Sequence, residues 1–276
     1  MATVLANLKH VIFVDNGSTD NTRDLINACL PHARVIALPE NIGFGSANNR
    51  GFAQCNTQYV AIVNPDIAFT LDALAKLIVT ADQFPDAAFV APQLINKEGK
   101  LDISYRFPRY MPGVQPWKAT QVAAEALTCV GFASGAFMLA RREALATLKG
   151  FDESFFLYYE DDDLCTRAFN AGMQIIVEPN AVVTHFSRGS VKTSSSLKAE
   201  YFRAKHHTYS KLLFEDKHNS EETSRSRSFK IAGLWATALI ALPIRLLIPS
   251  KKYTAYLGRV LGRISGLYEL TFNKNK

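Results

Sequence analysis

The sequence predicts an α/β fold on a mostly parallel sheet, followed by a helical C-terminal tail. Three observations carry that expectation. Compact apolar runs alternate with turn-and-helix segments. Acidic residues stand directly after two of those runs, where open α/β sheets place ligands. The charge is also divided. Residues 191–276 hold 16 Lys+Arg against 6 Asp+Glu, net +10, and residues 1–190 hold 15 against 19, net −4, in a chain of 276 residues at +6. A hydrophobic content of 48% with 20% charged residues suits a chain that buries a core, and it excludes a disordered one.

Val11–Val14 (VIFV) reads as a buried parallel strand. Asp15-Asn16-Gly17-Ser18-Thr19-Asp20 follows, with a glycine for a tight turn and three capping residues for a helix over Asn21–Leu30. A strand is expected near Arg34–Leu38. The Gly- and Asn-rich stretch from Asn41 to Gly51 then leads into a helix carrying Phe52 and Ala53. Tyr59–Val63 (YVAIV) is a second buried strand, and it runs into Asn64-Pro65-Asp66 and a helix over Leu71–Thr80. Asp15 and Asp66 thus stand at strand ends, with a plain turn or cap role as the competing reading for each. Phe89–Pro92 predicts a further strand and Ile95–Pro116 a loop or hairpin. Thr128–Ala140 is small and apolar, with glycines that permit close approach, and Arg141–Leu148 reads as a helix ended by Gly150.

From Gly150 to Ser190 the chain concentrates its chemistry. Phe155, Phe156, Tyr158 and Tyr159 precede four consecutive acids, Glu160, Asp161, Asp162 and Asp163, at the start of a helix expected to run to Asn170 and stop at Gly172. Acids in a first turn suit the helix dipole. Four of them repel one another, which points to a cation, a proton to be taken or basic partners. Asp163 and Arg167 are one turn apart and are expected to pair. Val182 and Val183 suggest a short last strand that delivers His185 to the same rim. Cys29, Cys55, Cys129 and Cys165 form no CxxC pair and read as buried free thiols of a reducing compartment. The N-terminus carries no signal-peptide pattern.

The runs VDNGSTD (14–20), NIGFGSANNRG (41–51), NPD (64–66), GFASGAFMLARRE (131–143), GFDESFFLYYEDDDLCTR (150–167) and VTHFSRGS (183–190) resemble the family 2 glycosyltransferases of GT-A fold, in their bacterial rhamnosyltransferase-like branch. The resemblance implies an inverting, metal-dependent transferase that acts on a nucleoside-diphosphate sugar such as dTDP-L-rhamnose. It implies a glycan or polyprenyl-linked acceptor in surface polysaccharide synthesis, and no nucleic acid partner. Asp66 matches the last acid of the family's metal motif, with Asn64 in place of the first acid. His185 matches a position that reaches the metal, Mg²⁺ or Mn²⁺, or the diphosphate. Asp15 matches a nucleotide contact, and Asn16 and Asn41 fall in the same donor-binding runs. Asn48 stands where many relatives carry Arg. Asp161 matches the general base, with Glu160 and Asp162 raising its pKa by like-charge repulsion. The family pattern has a further strand and helix before VDNGSTD, whereas ten residues precede Val11 here. A sheet without that strand and weak nucleotide binding are therefore expected.

The organisation expected is a catalytic domain over residues 1–190, a polar and helical linker region over 191–228, and apolar and amphipathic helices over 229–276. Tyr201–Phe214 reads as a helix and Ser220–Ser228 as a linker. The uncharged run Ile231–Ile244 has 14 residues, short of the roughly 20 that span a bilayer. Leu257, Val260, Leu261, Ile264 and Leu267 share one helical face beside Arg259 and Arg263. That pattern predicts an interfacial helix holding the protein on the inner, cytoplasmic face of the plasma membrane, with packing against protein as the competing reading. Two other functions stay open on sequence alone. One is a nucleotidyltransferase, although residues 15–20 lack its basic loop. The other is an inactive membrane-associated scaffold.

Overall fold

The apolar runs form strands in a computed structural model that describes residues 2–102, 104–107, 123–186, 197–218, 230–239 and 251–272. The chain divides into two units. One comprises Met1–Glu153 with Asp161–Ser190, and the other Ser154–Glu160 with Val191–Lys276.

In the first unit, a short helix α1 (Ala2–Leu5) precedes β1 (Ile12–Asp15), and α2 (Thr22–Cys29) crosses over to β2 (Arg34–Ala37). β1 and β2 make a parallel two-stranded sheet of their own. Between β1 and α2 lies Gly17, at φ 78°, where a Cβ would meet the backbone of Glu40 and Asn41 at 2.5–2.8 Å. Only glycine fits that turn.

Helix α3 (Phe44–Phe52) leads to the main sheet, whose order is β3 (Tyr59–Val63), β9 (Phe137–Arg141), β5 (Ala87–Ile95), β10 (Gln174–His185) and β4 (Ile67–Ala68), with β7 (Thr128–Cys129) also on β10. The sequence predicts a mostly parallel sheet, and the observed one is mixed. β10 runs parallel to β5, but β9 is antiparallel to both β3 and β5, and β4 and β7 are antiparallel to β10. β9 follows β8 (Phe132–Ala133), which pairs antiparallel with β6 (Tyr105–Arg106), and among the described residues between β5 and β9 there is no crossover helix of the kind a parallel pair requires. The strand expected at Val182–Val183 is the end of β10, a 12-residue strand with an irregularity between Glu178 and Val182.

Both faces of the main sheet are covered. Phe89, Ala91, Met138 and Ala140 point to one core with Leu164, Cys165 and Ala168 of α6 (Glu160–Asn170); helix α5 (Arg142–Thr147) adds Ala144 and Leu145. Val90, Phe137 and Leu139 point to the other, with Ala73, Leu77 and Ala81 of α4 (Leu71–Gln83). This is the period-two alternation of a strand read on both sides. Truncating fully buried Leu77 to Ala would cost about 2–5 kcal/mol. Thr70 caps α4 through its hydroxyl, which accepts the N–H of Ala73 at 3.1 Å. Gly172, at φ 76°, closes α6 as predicted.

The second unit is helical: α7 (Leu197–His218), a segment α8 over residues 230–239, and α9 (Lys251–Phe272). The face of α9 expected to lie in a membrane interface is instead protein core. Val260, Ile264 and Leu267 pack with Leu212 of α7 and with Ile231 and Ala238 of α8, and Leu257 is buried too. The approach is close because Gly258, Gly262 and Gly266 face α7, where a Cβ would meet the carbonyl oxygens of Leu197, Tyr201 and Lys205 at 2.6 Å or less. Among the described residues of this unit, the large apolar groups left exposed are others: Phe202, Trp235, Leu239, Tyr256, Tyr268 and Phe272. Among the described residues no helix is long and apolar enough to cross a membrane. The linker expected at 220–228 and the end of the VTHFSRGS run lie outside the described residues. The four cysteines are free, but only Cys165 is buried; Cys29 and Cys129 are exposed at an element end and on a two-residue strand.

Candidate functional site

Two clusters of polar side chains form in the first unit, one at a helix start and one at strand ends. The first surrounds the start of α6. Asp161 Oδ2 accepts the N–H of Gly135 at 3.1 Å, and its Oδ1 accepts the N–H of Asp162 at 3.0 Å. Asp162 is in a close ion pair with Arg106, whose guanidinium lies 3.9 Å over the ring of Phe132. Asp163 is fully buried and pairs with Arg167 at 2.7 Å, as predicted. Arg167 also donates to the carbonyls of Leu148 and Gly150, which closes the turn before the aromatic run. Glu160 is buried as the first residue of α6.

The titration of Asp161 is displaced. Burial first, and the charge of Asp162 second, push its carboxyl from 3.8 up to about 6, against the pull of the Gly135 and Asp162 N–H groups and of Arg106. The sequence assigns the shift to repulsion from Glu160 and Asp162. Burial is the larger cause because α6 seats on the sheet through Leu164 and Cys165 and carries Asp161 in with it.

The second cluster surrounds His185. The β4–β10 ladder places His185 opposite Ile67, one residue beyond Asp66, and the N–H of Phe186 donates to the carbonyl of Asp66 at 2.9 Å. His185 Nε2 and Asp66 Oδ1 are 3.6 Å apart. On the other side of the ring, Nδ1 is 2.6 Å from Asp102 Oδ2. Asn64 joins the clusters through the backbone. Its N–H donates to the carbonyl of Ala136 at 2.9 Å, and Gly135, one residue earlier, serves Asp161.

The remaining predicted donor-binding residues hold loops together. Asp15 is buried; its Oδ1 accepts the N–H of Ser18 at 3.1 Å and its Oδ2 pairs with Arg23 at 3.2 Å. Asn16 donates to Asn41 Oδ1 and to the carbonyl of Gly43, and accepts the N–H of Ile42. Asn48 turns back along its own helix to the carbonyl of Phe44 at 2.9 Å. Its neighbour Asn49 makes the long-range link, since it both donates to and accepts from the backbone of Phe151, at 2.9 Å each.

Sequence reasoning missed Asp102, Arg106 and Asn49. Asp102 and Arg106 lie in the segment read only as a loop or hairpin, 83 and 56 residues from their partners. The one signal for Asn49 is its place in a doubled asparagine. Toward a divalent cation, the fit is that of a shared site. Among the described residues no three His, Cys, Asp or Glu side chains form a cage. The Asp66–His185 pair offers one carboxylate and one imidazole, a donor set that suits an octahedral divalent ion with its other coordination positions open.

A family model described as glycosyl transferase family 2 matches residues 2–149, and one described as glycosyl transferase family group 2 matches residues 114–262. The chain is 29% identical over 239 residues, 76% of this chain and 75% of the relative, to the N-acetylglucosaminyl-diphospho-decaprenol L-rhamnosyltransferase of Mycobacterium tuberculosis (strain H37Rv). It is 30% identical over 162 residues, 52% of this chain and 61% of the relative, to rhamnosyltransferase WbbL of Escherichia coli K12. Among solved structures it resembles the mannosyltransferase PcManGT of Pyrobaculum calidifontis in complex with GDP-Man and Mn²⁺, at TM-score 0.53 and 17% identity over 96% of this chain and 79% of that one. It also resembles S. aureus TarS 1–349 in complex with UDP, at TM-score 0.50 and 15% identity over 99% and 86%. At these identities the structures show the shared fold.

Proposed function

The chain belongs to glycosyl transferase family 2, and from that premise we propose that it transfers L-rhamnose from dTDP-L-rhamnose, with inversion, to a polyprenyl-linked or glycan acceptor in bacterial surface polysaccharide synthesis. It is a glycosyltransferase of GT-A fold. The sugar and acceptor rest on the names of its rhamnosyltransferase relatives.

The observation that carries the chemistry is the Asp161 carboxyl, held by two backbone N–H groups with its pKa raised to about 6. Near neutral pH it is ionised yet basic enough to take a proton, which is the condition for a general base. The acceptor hydroxyl attacks the anomeric carbon, the bond from that carbon to the diphosphate oxygen breaks, and the hydroxyl proton passes to Asp161. Asp162, neutralised by Arg106, holds the helix start in place through its backbone N–H. Glu160 flanks the base in sequence.

Asp66 and His185 are the residues to hold Mg²⁺ or Mn²⁺, which when bound would offset the negative charge on the departing nucleoside diphosphate. Asn64 shapes that turn, and the loops latched by Asp15, Asn16 and Asn41, with Asn48 on the helix that follows, form the nucleoside side. Residues 1–190 would be the catalytic part and the helices after residue 190 a peripheral attachment to the inner membrane face. The net +10 after residue 190 and the exposed Trp235, Leu239, Tyr268 and Phe272 support this attachment.

The test is a transfer assay with dTDP-L-rhamnose and a polyprenyl-diphosphate N-acetylglucosamine acceptor, on the native chain and on Asp161→Asn. Transfer by the native chain that disappears in the variant supports the reading. Equal rates in both would remove Asp161 as the base.

A further inference from the structure

We propose that Asp102 is a positioning residue for His185: it fixes the imidazole as the Nδ1–H tautomer, so that Nε2 turns its lone pair toward the point Asp66 Oδ1 also faces. The inference rests on reading Asp66 and His185 as the cation-holding pair.

Donors and acceptors around the ring decide the tautomer. An ionised carboxylate can only accept, so at 2.6 Å from Asp102 Oδ2 the ring nitrogen Nδ1 must carry the hydrogen. A neutral imidazole has one N–H, which leaves Nε2 as an acceptor. Opposite Nε2, at 3.6 Å, is Asp66 Oδ1, another acceptor. A carboxylate behind the ring is the arrangement that orients a metal-binding histidine.

Asp102 is held firmly enough to orient the ring. Asn96 Oδ1 accepts the N–H groups of Glu98 and Lys100 at 3.0 and 2.9 Å and so closes a turn. Leu101 then bridges back to Ile95, and the N–H of Asp102 donates to the carbonyl of Leu94 at 2.9 Å. β10 pairs with the same end of β5, Thr184 opposite Ile95, which brings His185 beside Asp102. His185 is thus held by the β5–β10 ladder, and Asp102 by a backbone hydrogen bond beside an isolated bridge to the end of β5.

The experiment uses the full chain with ¹⁵N-labelled histidine, as wild type and as Asp102→Ala, Asp102→Asn, His185→Ala and Asp66→Asn. Ring ¹⁵N shifts at pH 7.5 report the tautomer, and electron paramagnetic resonance of free Mn²⁺, with dTDP present, reports cation affinity. The expected result is a neutral Nδ1–H ring in the wild type and a mixed or reversed tautomer in Asp102→Ala. Mn²⁺ affinity should fall roughly 10- to 100-fold in Asp102→Ala. Asp102→Asn, whose amide oxygen still accepts, should keep part of both signals, which a merely structural role would not reproduce. An imidazolium with both nitrogens protonated in the wild type would overturn the proposal. So would Asp102 variants that bind Mn²⁺ as the wild type does while His185→Ala and Asp66→Asn lose it; the cation site would then stand without Asp102. Undiminished Mn²⁺ binding by Asp66→Asn would overturn the cation site itself, and this inference with it.

Discussion

The two polar clusters solve opposite problems with the same residue type. Around His185, carboxylates sit behind and in front of an imidazole at strand ends. Around Asp161, a half-buried carboxylate sits at a helix start and is held by backbone N–H groups. In the first, negative charge is gathered where a cation can offset it. In the second, burial makes charge harder to keep, so the group becomes a better proton acceptor. The surroundings are therefore what would separate the proposed roles of Asp66 and Asp161, as in pairs of carboxylates that divide the work of one site.

The comparison breaks most visibly at Asp161. Asp161→Asn should lower the transfer rate by about 10²–10⁴-fold with donor affinity little changed, measured as kcat against KM. Asp66→Asn, or chelation of the wild type by EDTA, should cost roughly 10²–10³-fold, restored by Mn²⁺ in the wild type only. Arg106→Met should act through the proton. It removes the cation that lowers the Asp161 pKa and neutralises Asp162, so the acid limb of the rate profile, expected near pH 6 in the wild type, should move up by about one unit. A profile unchanged in Arg106→Met would separate Arg106 from the base.

The smallest effect concerns stability. The folded pKa of Asp161 lies above its ordinary 3.8, so its contribution is fully present below that value and is lost as pH rises through about 6. Asp161→Asn should therefore raise Tm by roughly 2–4 °C at pH 7.5, with the gain vanishing near pH 4. A gain independent of pH would point to packing instead.

Much of this was legible in the sequence where the signal is local. Apolar runs located β1 and β3, and the acid run with Gly172 located α6 to its ends. Asp66 and His185 were legible because each stands at or directly after a strand. Asp102 and Arg106 were not, because their roles come from pairings 83 and 56 residues away and nothing in their own neighbourhood marks them. The antiparallel course of β9 was hidden for a related reason: a fully buried run looks the same in either direction. The apolar face of α9 misled because periodicity shows that a face is buried without showing what buries it. Val260 and Ile264 meet Leu212 and Ile231, not lipid.

The glycines of α9 carry a further consequence, for how this region tolerates change. At positions 258, 262 and 266 any side chain meets a carbonyl oxygen of α7, while Arg259, paired with Glu200, and Arg263, each one residue on from a glycine, are exposed. Even alanine, normally the mildest replacement in a helix, is there among the disruptive ones, and the helix gives up intrinsic propensity at three sites to lie close to its neighbour. Permissiveness along α9 thus alternates every four residues, with the smallest side chains the least replaceable.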